Sequence, residues 1–133
     1  MVNIMHDIGI LVIGHGSKLP YNKEIVESIA ENIQKKHDTR VQTAYMSMNE
    51  PSIEDGLKIL AATGVKKIVA VPAFLANGVH TLKDIPGILG VETVGTKTTI
   101  PIDGAQIELC YAGPIGAEEC IADIVFKRVQ ETL

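Results

Sequence analysis

Apolar positions along the chain follow two alternating rhythms. Ile8 to Ile13 (IGILVI) is a continuous, largely β-branched run, the pattern of a strand covered on both faces, and it stops at Gly14-His15-Gly16-Ser17. From about Asn22 to Lys36, Ile25, Ile29 and Ile33 recur at every fourth residue with Val26 and Ala30 beside them. That spacing predicts an amphipathic helix. Arg40 to Met46 reads as a second strand, and Pro51-Ser52 opens a helix in which Ile53, Leu57, Leu60 and Ala61 share a face. Gly64 closes that helix, and Lys67 to Phe74 supplies a third strand whose end is marked by Pro72, which has no N–H for a ladder bond.

A shorter helix is expected after His80, interrupted near Pro86. Residues 90–104 lack a helical period and are rich in Gly, Thr and Pro, so they read as a loop or a weak hairpin. Ala105 to Tyr111 is the fourth strand. The last segment places Glu118 and Glu119 in a first turn, Ile121, Ile124, Val125 and Val129 on one face, and Lys127 and Arg128 near its end. Strands alternating with helices predict an α/β fold over 1–133, a single domain with an open parallel β-sheet of about four strands and helices on both faces. In such sheets ligands bind beyond the carboxyl ends of the strands.

Composition narrows the function classes. Of 133 residues, 46% are hydrophobic and 21% charged, enough for a core and too little charge for a disordered chain. No apolar run approaches the ~20 residues needed to cross a bilayer, and the start MVNIMHD lacks the features of a signal peptide. No membrane partner and a cytoplasmic location are therefore expected. The net charge is −4, there is no Trp, and no basic cluster exceeds Lys66-Lys67 or Lys127-Arg128, so nucleic acid is not an expected partner. Cys110 and Cys120 stand ten positions apart, which fits neither a CxxC pair nor a disulfide framework.

The loops after the strands carry the candidate chemistry. His15, Ser17 and Lys18 follow the first strand, Asn49 and Glu50 the second, and Asn77, Gly78 and His80 the third. Two imidazoles on one rim can ligate a divalent metal or accept protons near neutral pH. Gly14, Gly16 and Gly78 beside them would let a flat ligand approach the backbone. Each residue also has a structural reading. His15 and His80 fit hydrogen-bonding or capping roles, and Glu50 fits a favourable charge at a helix start. His6 and His37 read as structural, and Lys18 and Lys83 read equally well as a source of local positive charge or as solvated side chains. A dinucleotide fingerprint fails because its third glycine position is Leu19, and a serine triad lacks its acid.

Taken together, GHGSKLPYN at 14–22, SMNEPSI at 47–53, PAFLANGVHTLKDIP at 72–86 and GPIGAEECIADIV at 113–125 resemble the small class II tetrapyrrole chelatases of the CbiX-small or CfbA type. The resemblance implies a lyase that inserts Co²⁺ or Ni²⁺ into sirohydrochlorin, toward cobalamin or the coenzyme F430 of methanogenesis. It implies no cofactor beyond that substrate metal. It places His15 as metal ligand and catalytic proton acceptor, His80 as the second metal ligand, and Glu50, Leu75, Ala76, Asn77, Gly78, Val79 and His80 as tetrapyrrole contacts. Some relatives carry a histidine where this chain has Asn77, and some a histidine-rich insert within 90–104. Longer members hold two such domains, which implies that this half-length form pairs as a homodimer around a shared chamber. A non-catalytic metal or tetrapyrrole carrier and a sirohydrochlorin ferrochelatase use the same residues and are the alternatives.

Overall fold

The computed structural model describes residues 7–133, so His6 lies outside the described part. Five strands form one mixed sheet. Strand β1 (Ile8–Gly14) is followed by α1 (Tyr21–His37), β2 (Arg40–Tyr45), α2 (Ile53–Ala61) and β3 (Lys67–Pro72). A π-helical turn (His80–Asp84) runs into the short α3 (Ile85–Leu89), then β4 (Lys97–Ile102), β5 (Ala105–Tyr111) and α4 (Glu119–Gln130). The strand order is β2-β1-β3-β5-β4. Strands β2, β1, β3 and β5 are mutually parallel, as expected, and β4 is an added antiparallel edge on β5.

That fifth strand corrects the four-strand expectation. Asp103 and Gly104 both adopt positive φ, 48° and 86°, between the paired residues Ile102 and Ala105. Two such residues make the tight hairpin turn whose twist matches the flanking strands.

Local chemistry sets the helix ends. The Ser52 hydroxyl accepts the Asp55 N–H at 3.1 Å, and Glu54 and Asp55 occupy the positive end of α2. Helix α1 ends with Lys35, Lys36 and His37, and Asp38 turns the chain in the left-handed region.

Two cores cover the two sheet faces unequally. Leu11, Ile13, Ile68, Ala70, Ile107, Leu109 and Tyr111 pack against Leu57 and Leu60 of α2 and Ile85 and Leu89 of α3. On the opposite face, Val12 and Tyr45 meet Val26 and Ala30 of α1, with Ile29 and Ile33 at the margin. Ile25, expected on the buried stripe, instead stands 61% exposed. A stripe centred on Val26 and Ala30 turns it outward.

Helix α4 departs further from expectation. It buries none of its residues, and Ile124, Val125 and Val129 are 49%, 59% and 46% exposed. On the α1 side of the sheet, Val69 and Cys110 are only half-buried. The apolar residues of α4 belong to neither of the two cores.

Candidate active site

His15 and His80 meet at the carboxyl rim of the sheet. Their ring centroids lie 4.8 Å apart, with the planes at 72°. Phe74, just beyond the end of β3, stands 6.2 Å from the His15 ring and 6.4 Å from the His80 ring, within the range of aromatic packing. The sequence reading did not single out Phe74.

The His15 loop is held by its own backbone. Ser47 N–H donates to the His15 carbonyl at 3.2 Å, and Met46 N–H donates to Gly14 at 3.0 Å, so the sheet-like pairing of β1 with β2 continues past both strands. Asn22 Oδ1 accepts the Gly16 N–H at 3.0 Å, and Asn49 Oδ1 accepts the Ser17 N–H at 2.9 Å. Two amide side chains therefore fasten the turn.

The His80 segment is held from below. Tyr111 donates its hydroxyl to the Thr81 carbonyl at 2.7 Å, and burial pushes that phenol up to about 12. The buried Thr81 hydroxyl accepts the Gly78 N–H at 2.9 Å and shares its one proton between Asn77 Oδ1, at 3.1 Å, and the Gly78 carbonyl, at 3.2 Å. The π-helical turn closes with Ile85 N–H on the His80 carbonyl. Such turns are rare and concentrate at functional sites.

Both rings have one nitrogen committed. His15 Nδ1 lies 3.0 Å from the Gly16 carbonyl oxygen, which can only accept, so Nδ1 carries the proton and Nε2 keeps its lone pair. His80 Nδ1 lies 2.7 Å from Asp84 Oδ2, and a carboxylate oxygen likewise accepts. Each ring thus has Nε2 available as a donor to a metal. A 4.8 Å centroid separation suits one ion bound about 2.0–2.1 Å from a nitrogen of each ring. Among the described residues, no group of three His, Cys, Asp or Glu side chains gathers to form a closed site. Two ligands leave most coordination positions of a divalent ion open to water or to a second ligand.

The other candidates lie around this pair. Leu75, Ala76, Asn77, Gly78 and Val79 form an exposed loop between β3 and the π-helical turn, while Glu50 is exposed ahead of Pro51 on the way to α2. Asn77 also has a structural task, as the acceptor for Thr81. Leu19, Met48, Leu75 and Val79 on the three loops and Tyr21 at the start of α1 are all more than 60% exposed, an apolar rim of the kind that marks a binding surface.

The three-glycine cradle does not form as expected. A Cβ at Gly14 would strike Val26 at 2.7 Å, and one at Gly16 would strike the Ser47 carbonyl at 1.7 Å, so these two serve internal packing. Only Gly78 opens onto free space. A cavity of about 510 Å³ sits elsewhere, lined in part by Gln34, Arg40, Ile59 and Thr63 at the amino end of β2. It contains neither histidine.

The CbiX family profile matches residues 9–132. The chain belongs to the CbiX family. A sirohydrochlorin cobaltochelatase of Methanosarcina acetivorans is 57% identical over 127 residues, covering 95% of this chain and 97% of its own. One of Saccharolobus islandicus is 36% identical, with coverage of 94% and 95%. Among solved structures, a CbiX protein of Marinobacter aquaeolei aligns with a TM-score of 0.66 at 26% identity, over 94% of this chain and 96% of that one. SirB of Bacillus subtilis, in complex with cobalt, aligns with a TM-score of 0.76 at 23% identity, over 93% of this chain and 50% of that one. The SirB likeness is one of fold, and in it this chain's fold spans half of a longer chain.

Proposed function

We propose that this CbiX family member is a sirohydrochlorin cobaltochelatase in which His15 and His80 hold the incoming Co²⁺. The observation that carries the reading is the convergence of two imidazoles 4.8 Å apart, each with Nδ1 engaged and Nε2 free, in a chain 57% identical to a sirohydrochlorin cobaltochelatase.

Metallation requires that the ion shed water, meet four ring nitrogens and displace two N–H protons. The net change is one M²⁺ taken up and two H⁺ released. A histidine cannot bind the metal and accept a proton through the same lone pair at once. His15 and His80 first share the ion, and His15 Nε2 then accepts a proton once its metal bond is released. The exposed apolar rim of Leu75 and Val79, with Ala76, Asn77, Gly78 and Glu50, receives the macrocycle face. The same donors suit Ni²⁺, which binds nitrogen sites more tightly than Co²⁺, so metal supply decides between cobalamin and F430 products.

A second copy of the chain completes the chamber. The apolar face of α4 is uncovered, Val69 and Cys110 are only half-buried, and the histidine rim is open surface rather than an enclosed cavity. A wide disc is held better between two such rims. The alignment with half of SirB fits two copies arranged as two domains are in a longer chain.

Incubating the protein with sirohydrochlorin and Co²⁺, Ni²⁺ or Fe²⁺ without oxygen, and following the visible spectrum, tests the activity. Multiple turnovers with Co²⁺ above the spontaneous rate are expected. A single equivalent of product would identify a carrier, and turnover with Fe²⁺ alone a ferrochelatase.

A further inference from the structure

We propose that Asp84 is the positioning residue of the metal site: its carboxylate fixes the His80 tautomer and ring orientation so that Nε2 faces the ion. The proposal rests on the reading of His80 as a metal ligand. His80 Nδ1 and Asp84 Oδ2 are 2.7 Å apart, the length of a charge-assisted hydrogen bond. The two side chains are 46% and 44% exposed, so this is no core contact needed to keep the chain folded.

An unconstrained neutral histidine in water favours the proton on Nε2, which would leave the wrong nitrogen with the lone pair. Acceptance of Nδ1–H by Asp84 reverses that preference. His15 solves the same problem with the Gly16 carbonyl. The two rings thus reach one protonation pattern through two different acceptors. Carboxylate partners of this kind fix the tautomer of metal-bound histidines and strengthen them as donors.

The π-helical turn makes the contact possible. His80 opens that turn and Asp84 ends it, while Thr81 is pinned from beneath by Tyr111. The backbone between the two partners is therefore fixed before any metal arrives. Asp84 acts on the ion through the His80 ring.

The experiment compares the full-length protein with Asp84→Ala, Asp84→Asn and His80→Ala. Co²⁺ affinity is measured by anaerobic visible titration, and the tautomer of His80 in the metal-free protein by long-range ¹H–¹⁵N correlation. Asp84→Ala is expected to weaken Co²⁺ binding about tenfold to a hundredfold and to move the His80 proton toward Nε2. Asp84→Asn retains an oxygen acceptor and is expected to fall between Asp84→Ala and the parent on both readouts. An Asp84→Ala protein that keeps both the Nδ1–H tautomer and the parent affinity overturns the proposal. If His80→Ala binds Co²⁺ as the parent does, the ligand reading itself has failed. If His80→Ala weakens binding and Asp84→Ala does not, the positioning role alone has failed.

Discussion

The Tyr111 hydroxyl donates to the carbonyl of Thr81 at 2.7 Å and so fastens the last strand of the sheet to the segment that carries His80. Tyr111 is 1% exposed and Thr81 equally buried, so neither group has water as a substitute partner. Tyr111→Phe leaves that carbonyl unpaired and is expected to cost about 1–3 kcal/mol. Chemical denaturation measures the loss, and a fall in Co²⁺ affinity should accompany it. Unchanged values for both would remove the pin from the account.

The same phenol predicts an alkaline limit. Its folded-state value is raised from about 10 to about 12 because burial disfavours the phenolate. The protonated native form therefore contributes stability that is fully present below pH 10. That contribution is lost as pH rises through about 12. Denaturation midpoints across this window should fall for the parent, and the Tyr111→Phe midpoints should fall less steeply.

Gly16 tests the rigidity of the His15 loop. Its φ is +89°, and an added Cβ would stand 1.7 Å from the Ser47 carbonyl oxygen. The left-handed backbone alone costs an alanine about 1–2 kcal/mol, and the collision with backbone must displace the loop. Gly16→Ala should lower the melting temperature and reduce chelatase activity by at least about tenfold, since misplacing reacting groups by ~1 Å is costly. Gly87→Ala, whose Cβ meets nothing within 4 Å, is the control expected to retain both.

Helix α4 predicts the assembly state. Light scattering should find a dimer, and Ile124→Asp with Val125→Asp should yield monomers with reduced activity, because charges would then occupy the face proposed to pack on the second copy. A parent protein that is monomeric while turning over would exclude the shared chamber.

Much of this arrangement was legible in the chain. The rule that ligands gather beyond parallel strand ends brought His15 and His80 to one rim, and their separation in sequence did not obscure it. Pro72 ended β3 as its missing donor requires. Asp103-Gly104 held the signal for the β4–β5 hairpin, but the Thr- and Gly-rich residues before it diluted the strand pattern. Asp84 stands four residues beyond His80, a spacing at which helical side chains meet, yet only the geometry distinguishes a partner from an ordinary surface acid. The Tyr111–Thr81 bond joins distant segments, and no local pattern encodes it. For α4, periodicity identified the apolar face and could not say what covers it.

The histidines carry separable expectations. His15→Ala removes the proposed proton acceptor and should reduce turnover by about a hundredfold or more, while exposure of the side chain keeps the stability change within about 0.5 kcal/mol. His80→Ala should chiefly weaken Co²⁺ binding. Steady-state rates and titrations on both variants distinguish these effects.

One ion is proposed to sit between the imidazoles of His15 and His80. Anomalous diffraction from crystals soaked in Co²⁺ tests it most directly. A single strong peak is expected at the strand rim, about 2.0–2.1 Å from Nε2 of both His15 and His80. A peak bound through other side chains, or one that touches neither ring, would contradict it.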